Sequence, residues 1–536
     1  MTKTEFLKAY SKLLKKHGSQ RAVASATKIA RTTIQEWLKE DVGPKFIDRK
    51  PSKPVVVSVP ESGTRRFILT SAQDGTNVHE GFLTNLEAYA AYLGAAISIA
   101  GFTYNKRLFQ ENRKDDPRWT GYHTRVEPYL EHNQVQIGDN LLWCAEMNTL
   151  PTAVTPLTGF EVYTGSKWGI FPHAKVQLSS VPTMKHTPAK QIMTTGAVTL
   201  PNYVQKRAGI KAQFHHIIGA VLVEIDSDGH HFCRHLLADK NGSFYDLTRF
   251  VADGRVTEGH RLEAINWGDI HLEKLDSVVA KAAWGLSIES DGVVVSDEEA
   301  REVSMLAELD PKVQLFHDAT DFSVRNHHSI KDPHFRFKMH VAGTERVEDA
   351  FDGLSDFLLL TEGESCLSVV VESNHDLAVK RWLAESDWRD DPVNAIFFLE
   401  AQFEVLKAIK AGEDFSVLEW AVTRNRESDF DRIAFLREDE SFTICDGLIE
   451  CGMHGHLGAN GSRGSPKQFT RMGQRANTGH THSASIIDGI YTAGVSGSLD
   501  MGYNKGLSSW SHSHILTYPS GKRTIVTMMD GKWHAD

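Results

Sequence analysis

Residues 475–494 read "RANTGHTHSASIIDGIYTAG", and Gly479, His480, Thr481 and His482 within them place two imidazoles two residues apart. Four upstream stretches give that pair a meaning. "RLEAINWGDIHLEKLD" runs through apolar residues to Asp269 and His271, which share one face of an extended chain. "PKVQLFHDATDF" repeats the plan and ends at Asp318. "ESCLSVVVESNHDLAVKRWL" passes from a valine-rich strand to Asn374, His375 and Asp376, then into a helix. "LIECGMHGHLGANGS" delivers His454 and His456 into a glycine-rich loop. Five successive strand ends therefore present Asp, Asn or His, and strand ends on one edge of an α/β sheet converge on one crevice.

Carboxylate, imidazole and amide oxygen together form a ligand set for divalent ions of intermediate hardness. No thiolate joins them, which argues against a structural zinc site. The order of the five motifs resembles the calcineurin-like metallophosphoesterase superfamily, which runs DxH, GD, GNHD/E, H and GHxH. The resemblance covers roughly residues 262–500. Within the superfamily the chain is similar to the nuclease branch, akin to SbcD-type repair nucleases. The full layout, with "RFILTSAQ", "GDIH", "HDATDF", "RNHH", "SNHD" and "HGH", resembles more closely still the host-DNA-degrading early nucleases of certain tailed bacteriophages. Two positions depart from the pattern: His317 replaces the glycine of GD, and Ser373 replaces the glycine of GNHD. Neither removes a ligand, and both alter a loop backbone.

The resemblance implies that Asp269, His271 and His482 hold one metal, that Asn374, His454 and His480 hold a second, and that Asp318 bridges them. His375 would stand over the phosphate as the catalytic residue, protonating or stabilising the leaving oxygen. His454 and His456 are hard to separate by sequence; His454, the first after the strand, is preferred. Asp321, Arg325, His327, His328 and His456 would touch phosphate or support the ligands. The implied cofactors are two divalent ions, manganese first, with iron, zinc or magnesium as alternatives. The implied reaction is in-line attack on a phosphodiester by a hydroxide held between the ions.

Outward from the motifs, charge divides the chain. Residues 1–50 carry 12 Lys+Arg and 5 acids, a net +7, whereas the remainder carries −17. A basic head on an acidic body suggests a module that touches a polyanion, with DNA as the expected partner. Within the head, "TEFLKAYSKLLKKHG" is helical in spacing, Ser19 caps a second helix over "QRAVASA", and "ARTTIQEWLKE" reads as a third. Residues 19–39 resemble a helix-turn-helix whose second helix offers Arg31, Thr32, Thr33 and Gln35 to DNA. Lys28 stands where a turn glycine is usual. A bundle for oligomerisation or for an accessory protein is the other reading of the same helices.

The expected organisation is a helix-turn-helix-like head at 1–40 and a proline-marked linker at 41–65. An accessory α/β unit at 66–255 opens with βαβ grammar, and a metallophosphoesterase domain at 256–536 closes with a C-terminal hairpin. The fold class is α/β, a β-sandwich flanked by helices. The residues between Asp376 and His454 read as a helix and a strand that shape substrate access. His512 and His514 in the tail read as surface or supporting residues.

At 536 residues with 41% hydrophobic and 24% charged side chains, the composition is that of a globular protein of two or three domains. No run of eighteen apolar residues and no apolar leader is present, so neither a membrane nor export is expected. Five cysteines without a CxxC pair suit free thiols in a cytoplasm, that of the host if a phage encodes the chain. The expected function is a metal-dependent DNase. The same fold also serves phosphatases and phosphodiesterases acting on small or cyclic nucleotides. A non-catalytic DNA-binding regulator would leave seven ligand-type residues without work.

Overall fold

The computed structural model describes residues 2–41, 54–104, 122–185, 187, 189–290, 292–327, 329–426 and 430–535. His328 and residues 42–53 of the expected linker lie outside them. The chain forms two compact units, residues 1–53 with 112–120 and residues 54–111 with 121–536.

The described part of the first unit is three helices. In α1, Lys3–His17, Thr2 and Glu5 form a reciprocal capping box, and Gly18 ends the helix in the left-handed region. In α2, Gln20–Thr27, the Ser19 side chain accepts from the Ala22 N–H. The third helix, α3, spans Arg31–Asp41. Phe6, Val23 and Ile34 are fully buried where the helices meet. Lys28 adopts φ 53°, so a lysine takes the left-handed turn that glycine makes without strain. Arg31, Thr32 and Gln35 are exposed and Thr33 is half-buried, away from the Ile34 contact.

The second unit is built on three large sheets. A six-stranded sheet runs Ile433–Leu436, Leu367–Val371, Val313–His317, Ala264–Asn266, Ser513–Thr517 and Arg523–Thr527 in spatial order. Its first four strands are mutually parallel, and the tail hairpin adds antiparallel to Ala264–Asn266. Side chains alternate between two cores. Ile265, Phe316, Val370, Leu516 and Val526 face a helical layer, while Ala264, Leu315, Val369 and Val371 pack against Ile444 and Ile449 of an eleven-stranded sheet and Cys451 just beyond its strand. A five-stranded sheet carries the expected βαβ unit: Arg65–Gln73 and Ala96–Phe102 pair in parallel across the helix Glu80–Leu93. The expected hairpin through Asp228 and Gly229 joins Gly219–Ile225 to His231–Leu237.

Two expectations need correction. The boundary near residue 255 does not divide the protein, because the eleven-stranded sheet draws six strands from residues 55–194 and five from residues 443–492. The joint is Leu178–Val181 against Ser485–Ile487. Val55–Val57, inside the expected linker, is the first strand of that sheet. Valine-rich sequence after a proline can pair at a sheet edge, and the proline count concealed this. The segment 377–453, expected as a helix and a strand, is built into the main fold: Ile433–Leu436 is a parallel strand of the six-stranded sheet, and Trp382, Phe397, Phe398 and Leu418 join the main core. All five cysteines are free, and among the described residues no helix is long and apolar enough to cross a membrane.

Because the two halves share a sheet and a core, residues 256–536 expressed alone expose Ile486, Tyr491, Ile515 and Ile525, which pack against Trp143, Leu178 and Val223 in the whole chain. That fragment is expected to aggregate or to lose tertiary structure, whereas the full chain stays soluble. Size-exclusion chromatography and near-ultraviolet circular dichroism check this, and a soluble, folded fragment would contradict it.

Candidate metal centre

The carboxyl ends of three neighbouring parallel strands fix the first group of residues. Asn266 ends one strand, and its chain runs on through Gly268 to Asp269 and His271. His317 ends the next, with Asp318 directly after it. Val371 ends the third, followed by Ser373, Asn374 and His375. The register Ala264↔Val313 and Val313↔Leu367 aligns these ends on one edge. The second group comes from the facing sheet. Ile449–Glu450 and Arg475–Thr478 are parallel neighbours, and their ends lead to His454 and to the GHTH segment. Gly479 N–H donates to the His454 carbonyl at 2.8 Å, which ties the two loops together.

The structure brings most of the expected residues into contact. Asp269, His271, Asp318 and His482 form one group, and Asp318, His454 and His480 form another; the ligand atoms in each lie within 4.8 Å of one another. Asp318 belongs to both. His271 Nε2 and His482 Nε2 are 3.0 Å apart, His482 Nε2 and Asp269 Oδ2 are 3.2 Å apart, and Asp318 Oδ2 lies 3.2 Å from His454 Nε2 and 3.6 Å from His271 Nε2. Two ligands at right angles about a divalent ion, each roughly 2.1 Å from it, stand about 3 Å apart. Asn374 Oδ1 and Asp269 Oδ1 are buried with no hydrogen-bond partner, a costly state that a cation would relieve. The donor set fits, and these buried clusters of His and Asp could hold divalent metal ions.

Around the cluster, supporting contacts orient the ligands. Asp321 accepts from Nδ1 of His271 at 3.2 Å, which leaves Nε2 to face the group. The same Asp321 oxygen lies 3.3 Å from His375 Nδ1, and Lys274 pairs with the other oxygen at 2.9 Å. Ser373 explains its departure from glycine: its Oγ accepts from the Asp318 N–H at 2.8 Å and donates to the Val371 carbonyl. Asp376 accepts from the backbone N–H of Ser373 and of Thr320, both at 3.1 Å, joining two ligand loops. A Cβ on Gly479 would lie 2.1 Å from Asp269 Oδ1, so that position tolerates only glycine. His480 N–H donates to Asp269 Oδ2 at 2.7 Å.

The local electrostatics are divided. Burial opposes ionisation of Asp318, yet the nearby His454 and His375 hold its carboxyl well below the usual range. Burial pushes His480 down to about 4, and it also lowers His482, so both imidazoles are neutral donors at neutral pH. At His454 burial works the same way, but Asp318 and Asp269 outweigh it and raise the imidazole above its ordinary value. His375 is half-buried, which pushes it down, yet the carboxylates of Asp318 and Asp321 outweigh this and push it up to about 10.

Several expected supporting residues sort differently. His454, not His456, stands beside Asp318; His456 pairs with Glu438 at 2.9 Å. Arg325 does not face the crevice: it is buried, and its guanidinium is held bidentate by Asp391 at 2.5 and 2.6 Å, which leaves no fork for phosphate. His327 is half-buried and belongs to none of the Asp/His groups. His514 is fully buried and accepts from the Gly268 N–H at 3.0 Å, so it braces the GDIH turn. Sequence reasoning missed Glu273, which accepts from the Asp321 N–H at 2.6 Å and from the Thr320 hydroxyl at 2.8 Å. It also missed Tyr503 and Trp510. The Trp510 ring packs 4.2 Å from that of His482, and Tyr503 stacks 6.4 Å from His375 with Lys274 over its face at 4.7 Å. Both aromatics come from an irregular segment with no periodicity to mark it.

The chain is similar to Protein A1 of Escherichia phage T5. The two are 41% identical over 481 residues, covering 88% of this chain and 83% of the relative. The chain belongs to the Protein A1 family. No protein-family model matches it, and no solved structure does.

Two measurements test the centre. Because the His454 imidazole is raised, a cation must displace its proton. Manganese affinity is therefore expected to fall as pH drops through that raised value, with protons released on binding near neutrality. Calorimetry in buffers of different ionisation heat reads the release, and pH-independent binding would contradict the assignment. Asp321→Asn removes the acceptor that orients His271, and about a 10–100-fold loss of metal affinity is expected.

Proposed function

We propose that this protein is a metal-dependent phosphodiesterase acting as a DNase, encoded by a phage and working in the host cytoplasm on host DNA. The observation that carries the reading is Asp318, shared by two groups of ligand-type side chains, with His375 beside them. In this assignment Asp269, His271 and His482 would hold one ion and Asn374, His454 and His480 a second, with Asp318 shared. Manganese is the expected metal. When bound, such a pair supplies charge neutralisation at a phosphate and hydroxide near neutral pH.

The chain's own residues do the rest. His375 uses Nδ1 on Asp321, which leaves Nε2 free of that contact; its side chain is 20% exposed, whereas those of Asp318, His271 and His454 are sealed. Burial opposes protonation of His375 and the Asp318 and Asp321 carboxylates favour it; the Asp321 contact at Nδ1 remains when cations take Asp318, and an imidazolium held there can donate to the leaving oxygen of a cleaved phosphodiester. Asp321 holds the orientation of both His271 and His375. Tyr503, half exposed beside His375, offers a ring on which a base next to the scissile phosphate can stack. That ring favours a nucleic acid over a small phosphomonoester. The basic head adds backbone affinity through Arg31, Thr32, Thr33 and Gln35 on the exposed side of α3.

Linear and circular DNA incubated with manganese-loaded protein are expected to be degraded, and Asp318→Ala to abolish this. His375→Ala is expected to lower kcat by about 10²–10⁴-fold with metal content unchanged. Tyr503→Ala is expected to raise KM for DNA by roughly 5–150-fold, the equivalent of about 1–3 kcal/mol of stacking, while hydrolysis of a p-nitrophenyl phosphodiester is preserved. Intact DNA alongside rapid hydrolysis of a small phosphodiester would favour the small-substrate alternative.

A further inference from the structure

The helix Ala395–Ala411 is apolar on two faces. Phe397, Phe398 and Ala401 point inward and belong to the main core. Ile396, Leu399, Phe403, Leu406 and Ile409 point outward and are between 47% and 75% exposed. Their spacing of three, four, three and three residues forms a continuous stripe, the seam along which two helices pack. Scattered exposed apolar side chains are ordinary, but a five-residue stripe on one helix marks an interaction surface.

Charge beside the stripe identifies what covers it. Glu400 lies before the helix midpoint at Phe403, and Glu404, Lys407 and Lys410 follow it. Glu400 and Lys407 are seven residues apart, two turns or about 10 Å, so they share one flank of the stripe. Glu404 pairs with Lys407 at 3.0 Å, which keeps that lysine along the same flank. A second copy of the helix laid antiparallel about a two-fold axis beside Phe403 sets Glu400 of each copy against Lys407 of the other. A parallel two-fold pairing instead sets that flank against the partner's opposite flank, where Gln402 and Ile409 offer no countercharge. The helix dipoles also oppose each other favourably in the antiparallel arrangement.

We infer that this protein self-associates into a two-fold dimer through antiparallel packing of the helix 395–411, with Phe403 at the axis and Glu400–Lys407 pairs on both sides. A C2 contact of this kind uses one self-complementary patch on both copies. It is independent of the metal centre, whose ligands come from other elements.

Sedimentation velocity on the full chain tests the inference. The wild type is expected to be dimeric at tens of micromolar. Phe403→Glu, at an exposed position that does not disturb the core, is expected to give a monomer with an unchanged circular dichroism spectrum. Glu400→Lys is expected to weaken the dimer at least about tenfold, and the double variant Glu400→Lys/Lys407→Glu to restore it. A larger assembly whose subunit number Phe403→Glu halves supports the same contact. A wild-type monomer, which leaves the stripe to a different partner, overturns the proposal. So does an assembly that Phe403→Glu leaves unchanged, or a double variant no tighter than Glu400→Lys alone.

Discussion

The carboxylate of Asp318 is buried where the parallel strand ends of one sheet meet the imidazoles of another. Taking a carboxylate out of water costs several kcal/mol unless charge returns to it. The same burial drives the neighbouring imidazoles toward neutrality, as His480 and His482 show. The two requirements conflict: a neutral imidazole is a ligand but not a counter-charge, and an imidazolium is a counter-charge but not a ligand. His454, drawn upward by Asp318 and Asp269, sits at the point of conflict. A divalent cation would resolve it, because it would neutralise the carboxylates and take the imidazole lone pairs together.

The backbone is arranged to maintain that geometry against its own preference. His271, Asp318, His480 and His482 have φ of 46°, 44°, 73° and 55°, all in the left-handed region that side chains avoid. Each such residue costs on the order of 1 kcal/mol or more and persists only where its surroundings over-determine it. Here they do. His271 N–H donates to the Asp318 carbonyl at 2.8 Å, and Ile270 N–H to that of His317 at 2.9 Å, so two ligand loops are laced side by side. Asp269 N–H reaches the Gly494 carbonyl, and Ser496 N–H returns to that of Asp269. Ser373 then holds Asp318 from the third loop, an attachment that a glycine could not make.

The cluster was legible in the sequence because its residues are punctual: each closes an apolar strand, and strand ends of parallel neighbours must share an edge. That logic reaches Asp269, His271, Asp318 and Asn374 directly. It reaches His454, His480 and His482 only through the motif order, since these belong to the facing sheet and no periodicity announces which sheet a short strand joins. Arg325 was misread because sequence proximity to Asp318 says nothing of Asp391, 66 residues onward, which claims its guanidinium. Tyr503 and Trp510 were invisible for a related reason: their position depends on an irregular segment anchored by Met501 and Asn504. The separate accessory unit was a mistake of the same kind, because a βαβ opening at residue 66 says nothing of where the later short strands pair.

Those short strands give the first half of the chain a task at the metal centre. Leu178–Val181 pairs with Ser485–Ile487, three residues beyond His482, and Ser180 Oγ donates to the Ala484 carbonyl at 2.8 Å. Thr183–Met184 pairs with Leu507–Ser508, just before Trp510, whose ring lies against His482. Gln191 lies within hydrogen-bonding distance of the hydroxyls of Ser511, Ser513 and Thr527. The GHTH segment is thus clamped from behind by strands that precede the first metal-type motif by almost a hundred residues. Left-handed residues held this way cannot relax without breaking a sheet, so the early part of the chain sets the position of His482, and with it the geometry in which any cation could be held.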